Sequence, residues 1–510
     1  MLSPNLRTRS GPTPICSEIH SLSMRAAKSH CRLKCLRPES CLPLRGAEGK
    51  SCAWMTTCRV MRCCTSGCRK PFIQSASPTT RRSTGWCSCL LIRMATAESL
   101  GKGGILALSY VTRRDQCVCL TVTAPLLLAY LLAVAGVLPW LQSGLVLCFV
   151  LLAVISLVVP GTSRRGYLVS AFLVMLVLVA LSTPSAGWDA RSIWLFHAKR
   201  ILVDESLYAQ LDGYAGWSQN DYPSLVPFSM AAFARAIGGW NEVYPKAMVT
   251  LVAIPALMML FSTFRSVLAS TAFLFAVVFI GSFYLVNGYM DALLAIYFVA
   301  SVVVAVDSAN SRQVCALSMC LGSAIFAILT LVKNEGLVLL MIVGCSIILV
   351  TLVRERRVPW PLLATMAIGL LPIFAWKVAI ANHHVVNDLA SSDVAGKLAE
   401  RLPNAFFTIF VLGEILLRIG FLIPLLLMLA TFRIWRSSTM AWTGWLALVA
   451  YVLVLYAVYM STPHDVRWHL QTSVQRTTMP VLLMLAFMAS SVVDALLEKW
   501  RATNMINENN

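Results

Sequence analysis

The 510-residue chain is short of charge: Asp, Glu, Lys and Arg make up 13% of it, about half the roughly 25% usual in soluble domains. With 58% hydrophobic residues and a mean hydropathy of +0.73, this shortage argues against a soluble enzyme. Acidic residues are the scarcer sign, 23 against 42 Lys and Arg. After residue 93 there is no HExxH, CxxC, Walker or dinucleotide-binding pattern, so zincin, P-loop and Rossmann chemistry have no sequence signature. The first 50 residues lack an apolar run of secretory-signal length.

The net charge of +19 is unevenly placed. Residues 1–93 hold 16 Lys and Arg against 3 Asp and Glu, and 11 of the 17 cysteines. Their cysteines form no C-x-x-C pairs of the kind zinc sites reuse. No apolar period of 3.6 or 2 runs through the segment. It fits a basic disordered extension, a disulfide or zinc module, or an upstream stretch that is not translated because synthesis starts at Met94. The excess charge therefore does not speak for nucleic-acid binding, and residues 94–120 are read as a cytoplasmic N-terminal segment.

From Gln116 onward, apolar runs of about 17 to 22 residues recur, the length a helix needs to cross roughly 30 Å of hydrocarbon. They predict an all-α, polytopic integral membrane protein of about twelve transmembrane helices across residues 121–496, with short interfacial helices in its extracytoplasmic loops. The expected spans are 121–140, 144–160, 167–185, 244–264, 267–287, 289–306, 314–332, 335–353, 361–380, 406–428, 441–460 and 479–496. Arg113, Arg114, Arg164, Arg165, Arg265, Arg312, Arg354, Arg356, Arg357, Arg433 and Arg436, with Lys499 and Arg501, all fall on one side of such a chain. By the positive-inside rule that side is cytoplasmic. Both termini, including the tail 497–510, are then expected inside the cell, in the inner membrane.

The opposite connections hold the polar residues that loop chemistry explains least. Asp189, in GWDARSIWLFHAKRI, follows the third span at the membrane surface beside Trp188 and Trp194. A carboxylate there is partly desolvated and suited to take a proton from a hydroxyl; it equally suits the N-cap of a helix over 190–202. Asp221, Tyr222 and Pro223 read either as a turn with an interfacial tyrosine or as part of a site. Asp291, in NGYMDALL, falls in the first turn of a span, where the helix dipole favours a carboxylate with or without a ligand. In LVKNEGLVLL, Lys333 and Glu335 either neutralise one another or leave Lys333 to hold a phosphate as a point charge. The last far-side loop carries His464, Asp465, Arg467, His469 and Arg476. Its two arginines need an anionic partner, a lipid headgroup or a substrate phosphate. Residues 393–402 fit an amphipathic surface helix; His383 and His384, being adjacent, diverge on a helix and do not form a chelating pair.

These residues, in this order and on one side, resemble the bacterial multi-spanning GT-C glycosyltransferases, related to protein O-mannosyltransferases and the lipid A aminoarabinose transferase. The resemblance rests on GWDARSIW, NDYPSLVP, NGYMDALL, the KNEG junction and the late Arg476, and covers roughly residues 186–496. It implies transfer of a sugar from a polyprenyl-phosphate-linked donor to a lipid, glycan or protein acceptor on the extracytoplasmic face. Asp189 matches the family's first-loop acidic residue, which orients or deprotonates the acceptor hydroxyl. Asp291 matches the second acidic position, which in some relatives helps bind the acceptor or a divalent metal; Asp221 and Tyr222 join that acceptor side. Lys333 and Arg476, with Arg467 and His469, fall to the donor phosphate, and Trp188 and Glu335 to supporting roles. One departure is plain: the family's first-loop acid follows the first span, whereas here it follows the third.

Such a transfer requires one base and stabilisation of a leaving phosphate, and no redox cofactor. The partners expected are the lipid-linked sugar, its acceptor and membrane lipids, without nucleic acid. The competing functions are a transporter or flippase of a lipid-linked sugar or small solute, and a glycan ligase, polymerase or lipid-binding assembly protein. Mid-span charge and similar halves, which transporters often show, are scarce in this sequence.

Overall fold

A computed structural model describes residues 113–508, apart from 159–163, 183, 186, 312–314, 382, 384, 386–392, 422–423, 426–428, 430–431, 433–435 and 437. The cysteine-rich segment 1–93, Met94, Arg312, Arg433 and His384 lie outside the described residues, as do the side chains of Arg113, Arg164 and Arg165.

The protein is an all-α, polytopic membrane protein. Its helices are α1 (Arg113–Val134), α2 (Pro139–Val158), α3 (Arg164–Ser182), α4 (Phe196–Asp204), α5 (Leu225–Ala236), α6 (Ala247–Ser262), α7 (Val267–Asn287) and α8 (Asp291–Asn310). They continue as α9 (Ala316–Val332), α10 (Asn334–Glu355), α11 (Trp360–Ile380), α12 (Val394–Arg401), α13 (Ala405–Ile419), α14 (Thr439–Ser461), α15 (Val466–Thr477) and α16 (Met479–Glu508). Each of the twelve expected spans coincides with a helix; for 406–428 the match is α13, and much of the remainder lies outside the described residues. Among the described residues eight helices are long and apolar enough to cross a membrane, or nine if the α12–α13 pair, bent by 104°, is one span. The expected twelve therefore include α3, α6 and α9, which are apolar but shorter.

The remaining helices are α4, α5, α12 and α15, in the connections where interfacial helices are expected. α12 is capped by Asp393, whose carboxylate accepts from the Gly396 amide at 2.8 Å. One loop and the C-terminal tail are more helical than the sequence suggests. α15 runs almost directly into α16, and α16 continues to Glu508, so the expected tail is largely helix. Apolar length marks where a helix may cross the bilayer, not where its hydrogen-bonded ladder ends.

Packing places α8 at the centre, against α6, α7, α9, α10, α11, α14 and α16. Its spanning window is 89% buried within the protein, against 33–56% for the other seven long spans. Tyr297 and Phe298, in its first half, are fully buried. The connections sort to two ends. At one, Asp494 of α16 accepts from the Arg265 and Ser266 amides before α7, and Arg354 donates to the Arg436 carbonyl. These belong to the arginine-bearing connections. At the other end, side-chain bonds tie together the four connections that hold the candidate residues.

Candidate active site

Lys333 is the pivot of that second end. It adopts an extended conformation (φ −154°, ψ 161°) between α9 and α10, so two spans meet with one non-helical residue between them. α10 starts so close to α9 that a β-carbon on Gly336 would overlap the Leu329 carbonyl. The Lys333 ammonium lies 3.2 Å from Asp291 Oδ1 and 3.0 Å from Glu335 Oε1. Burial opposes its charge, but Asp291 and Glu335 outweigh burial and hold it well above the ordinary lysine value.

Asp291 is the first residue of α8, where the free amides and the dipole favour an anion. Its second oxygen lies 3.8 Å from Arg476 Nη1. Arg476, in the last turn of α15, also pairs with the carboxylate of Asp189. One guanidinium thus serves two carboxylates and lies over the Tyr289 ring, 5.5 Å from its centroid. Gly187 permits this approach, since a β-carbon there would overlap Tyr289. Asp189 has helical backbone angles and makes no side-chain cap bond. Its carboxylate faces Arg476 rather than the amides of the π-helical turn Ala190–Leu195 that starts the expected helix.

The Tyr222 hydroxyl donates to Glu335 Oε1 at 3.3 Å, and its ring lies beneath Lys333 and stacks on Trp194 at 5.5 Å. Burial keeps that hydroxyl far above the ordinary tyrosine value, so it stays a donor. Next to it, Asp221 accepts from Asn334 Nδ2 at 2.6 Å and lies 4.0 Å from Lys377 Nζ, which also donates to Asn334 Oδ1 at 3.1 Å. Four carboxylates and three cations therefore meet at one end of the bundle. Asp189 and Glu335, with side chains 25% and 35% exposed, mark its open side, whereas Asp291 is only 8% exposed.

The structure brings together Asp189, Asp291, Lys333, Arg476, Glu335, Tyr222 and Asp221. It does not bring in the other two residues expected near a phosphate. Arg467 lies over the Phe410 ring, 5.8 Å from its centroid, and His469 is bonded through Nδ1 to Thr462 Oγ1 at 2.8 Å and packed on Tyr459. Trp188 is exposed and faces Trp217 instead of the cluster. Asn334, Lys377 and Tyr289 were not singled out by the sequence; of these, Lys377 carries a signal, a charge at the end of an apolar run.

A divalent metal held by Asp189 and Asp291 does not fit this arrangement, because Arg476 stands between the two carboxylates. Among the described residues no group of three or more His, Cys, Asp or Glu is placed to hold a metal ion.

No protein-family model matches the sequence, and no curated protein matches it. Among solved structures, the chain is similar to the crystal structure of ArnT from Cupriavidus metallidurans bound to undecaprenyl phosphate. The identity is 14% and the TM-score 0.44, over 65% of this chain and 61% of that one. The chain thus spans about three fifths of the length of that neighbour.

Proposed function

We propose that the protein is a membrane glycosyltransferase of the GT-C kind, which moves a sugar from a polyprenyl-phosphate-linked donor to an acceptor hydroxyl on the extracytoplasmic face of the inner membrane. The observation that carries this reading is the convergence of Asp189, Asp291, Lys333 and Arg476, from four separate connections, into one linked set at the end of an apolar bundle. An amphiphile with a long apolar tail and a phosphate head suits such a place. Its head finds Lys333 and Arg476, and its tail remains among the spans.

The acceptor oxygen attacks the anomeric carbon. The bond from that carbon to the phosphate oxygen breaks, the electron pair leaves with the polyprenyl phosphate, and the hydroxyl proton passes to Asp189. Lys333 and Arg476 stabilise the leaving phosphate's charge, the interaction that grows in the transition state. A phosphate that engages Arg476 also loosens its hold on Asp189, which releases the carboxylate for the acceptor. Asp291, between both cations, keeps them apart and aimed at the same point.

The test is Asp189→Asn in native membranes supplied with a labelled polyprenyl-phosphate sugar. Transfer should fall about a hundredfold or more, the usual scale for a lost general base, while expression and insertion are retained. Wild-type transfer in this variant would remove Asp189 from the chemistry.

A further inference from the structure

α7 ends four residues before Asp291 of the candidate site, and all four of its last carbonyls have partners. A helix leaves these groups without intrahelical donors, and they must be satisfied from outside. The Tyr284 carbonyl accepts from the amides of Gly288 and Tyr289, as Gly288 enters the left-handed region (φ +85°) that ends the helix. The next three are each taken by a side chain from another element. Leu285 accepts from Thr250 Oγ1 at 3.1 Å, Val286 from Lys246 Nζ at 2.7 Å and Asn287 from Ser185 Oγ at 2.7 Å.

Lys246 is the unexpected member. It sits just before α6, is fully buried, and among the described residues has no carboxylate in ion-pair range. A buried ammonium without a counter-ion is costly, and the negative end of a helix dipole offsets only part of that cost. Its stem packs against the turn that follows α7: a β-carbon on Gly288 would stand 3.4 Å from Lys246 Cβ and 3.7 Å from Ala190 Cβ. Ala190 follows Asp189, and Gly288 comes three residues before Asp291. Lys246 therefore touches the turn that carries Tyr289 and Asp291 and lies next to the one that carries Asp189.

We propose that Lys246 is a positioning residue. With Ser185 and Thr250 it fixes the end of α7, so that Tyr289 lies beneath Arg476 and Asp291 lies between Arg476 and Lys333. The proposal rests on the transferase reading for its consequence, weaker binding of a polyprenyl phosphate. Its structural core, a local hold on Gly288–Asp291, stands apart from that reading.

The test uses the full chain in nanodiscs, with Lys246→Met, which keeps the length and removes the charge, and Lys246→Arg. Two quantities are read: affinity for polyprenyl phosphate, with neutral polyprenol as the control, and amide exchange along α6 to α8. For Lys246→Met the expected result is about a tenfold loss of affinity, the scale of one charge-assisted hydrogen bond. Faster exchange should be confined to the Gly288–Asp291 turn, and Lys246→Arg should recover most of both. If Lys246→Met fails to fold, Ser185→Ala, which removes one of the three caps, should show the same local loosening to a smaller degree. Wild-type affinity in Lys246→Met, or loosening spread evenly along α6 and α7, would overturn the proposal. If the wild-type chain does not prefer polyprenyl phosphate to polyprenol, the transferase reading fails, while the exchange result still decides the role of Lys246.

Discussion

Arg476 and Asp189 are 287 positions apart in the chain and form an ion pair at the open side of the site. Because the same guanidinium also reaches Asp291, its planar fork matters as well as its charge. Arg476→Lys should therefore cost roughly tenfold or more in transfer rate, and Arg476→Ala more, with protein levels unchanged. Equal rates for Arg476→Lys and wild type, measured in membranes at saturating donor, would reduce the role of Arg476 to simple charge.

Lys333 pairs with both Asp291 and Glu335. Lys333→Ala should lower the affinity for polyprenyl phosphate by about ten- to hundredfold, the range of a charge-assisted contact. It should also lower thermal stability, because two carboxylates lose their shared cation. A binding titration in nanodiscs alongside a melting curve separates the two effects. Unchanged affinity would take Lys333 out of the phosphate site.

At Gly187 the prediction is steric. A β-carbon there overlaps the Tyr289 ring, so Gly187→Ala should push that ring from beneath Arg476 and reduce donor affinity several-fold. In the background of Tyr289→Ala the same substitution should cost almost nothing, because its obstacle is gone. A double-mutant cycle on donor binding reads this coupling; additive losses would show that the two residues act separately.

His197, on α4, supplies a pH dependence. Burial pushes its imidazole down from 6.5 to about 4. The unfolded chain takes a proton there near 6.5 and the folded chain only near 4. Between those values the unfolded state binds more protons, so stability falls as the pH drops through that window, by up to about 3 kcal/mol. Melting temperatures from pH 7.5 to 4.5 should decline less in His197→Gln than in wild type. An identical decline would assign the acid sensitivity to other groups.

The spans were legible because crossing a bilayer imposes a length and an apolar composition that any window of sequence displays. That Asp189, Asp291, Lys333 and Arg476 share one end was expected from their alternation with the arginine-bearing connections, and the four do meet in one cluster. What the sequence could not display was pairing across hundreds of positions, such as Asp189 with Arg476 or Asp221 with Asn334. Helix geometry explains the misplacement of Arg467. It lies on α15 nine residues before Arg476, which at about 100° per residue puts the two on opposite faces. His469 lies seven residues before Arg476, on nearly the same face but about 10 Å away along the axis. Lys377 carried a signal, a charge near the end of an apolar run, but nothing in the sequence tied it to Asp221 or Asn334.

α8 is almost wholly enclosed by other helices. Helices that face lipid adjust their tilt when the hydrocarbon layer thickens or thins, but α8 has almost no lipid contact through which such a change could act. Asp291, at its tip, is therefore referenced to the protein interior and not to the height of the surrounding bilayer. In bilayers of short or long acyl chains, the outer helices can lean while the spacing between Asp291 and Lys333 stays constant.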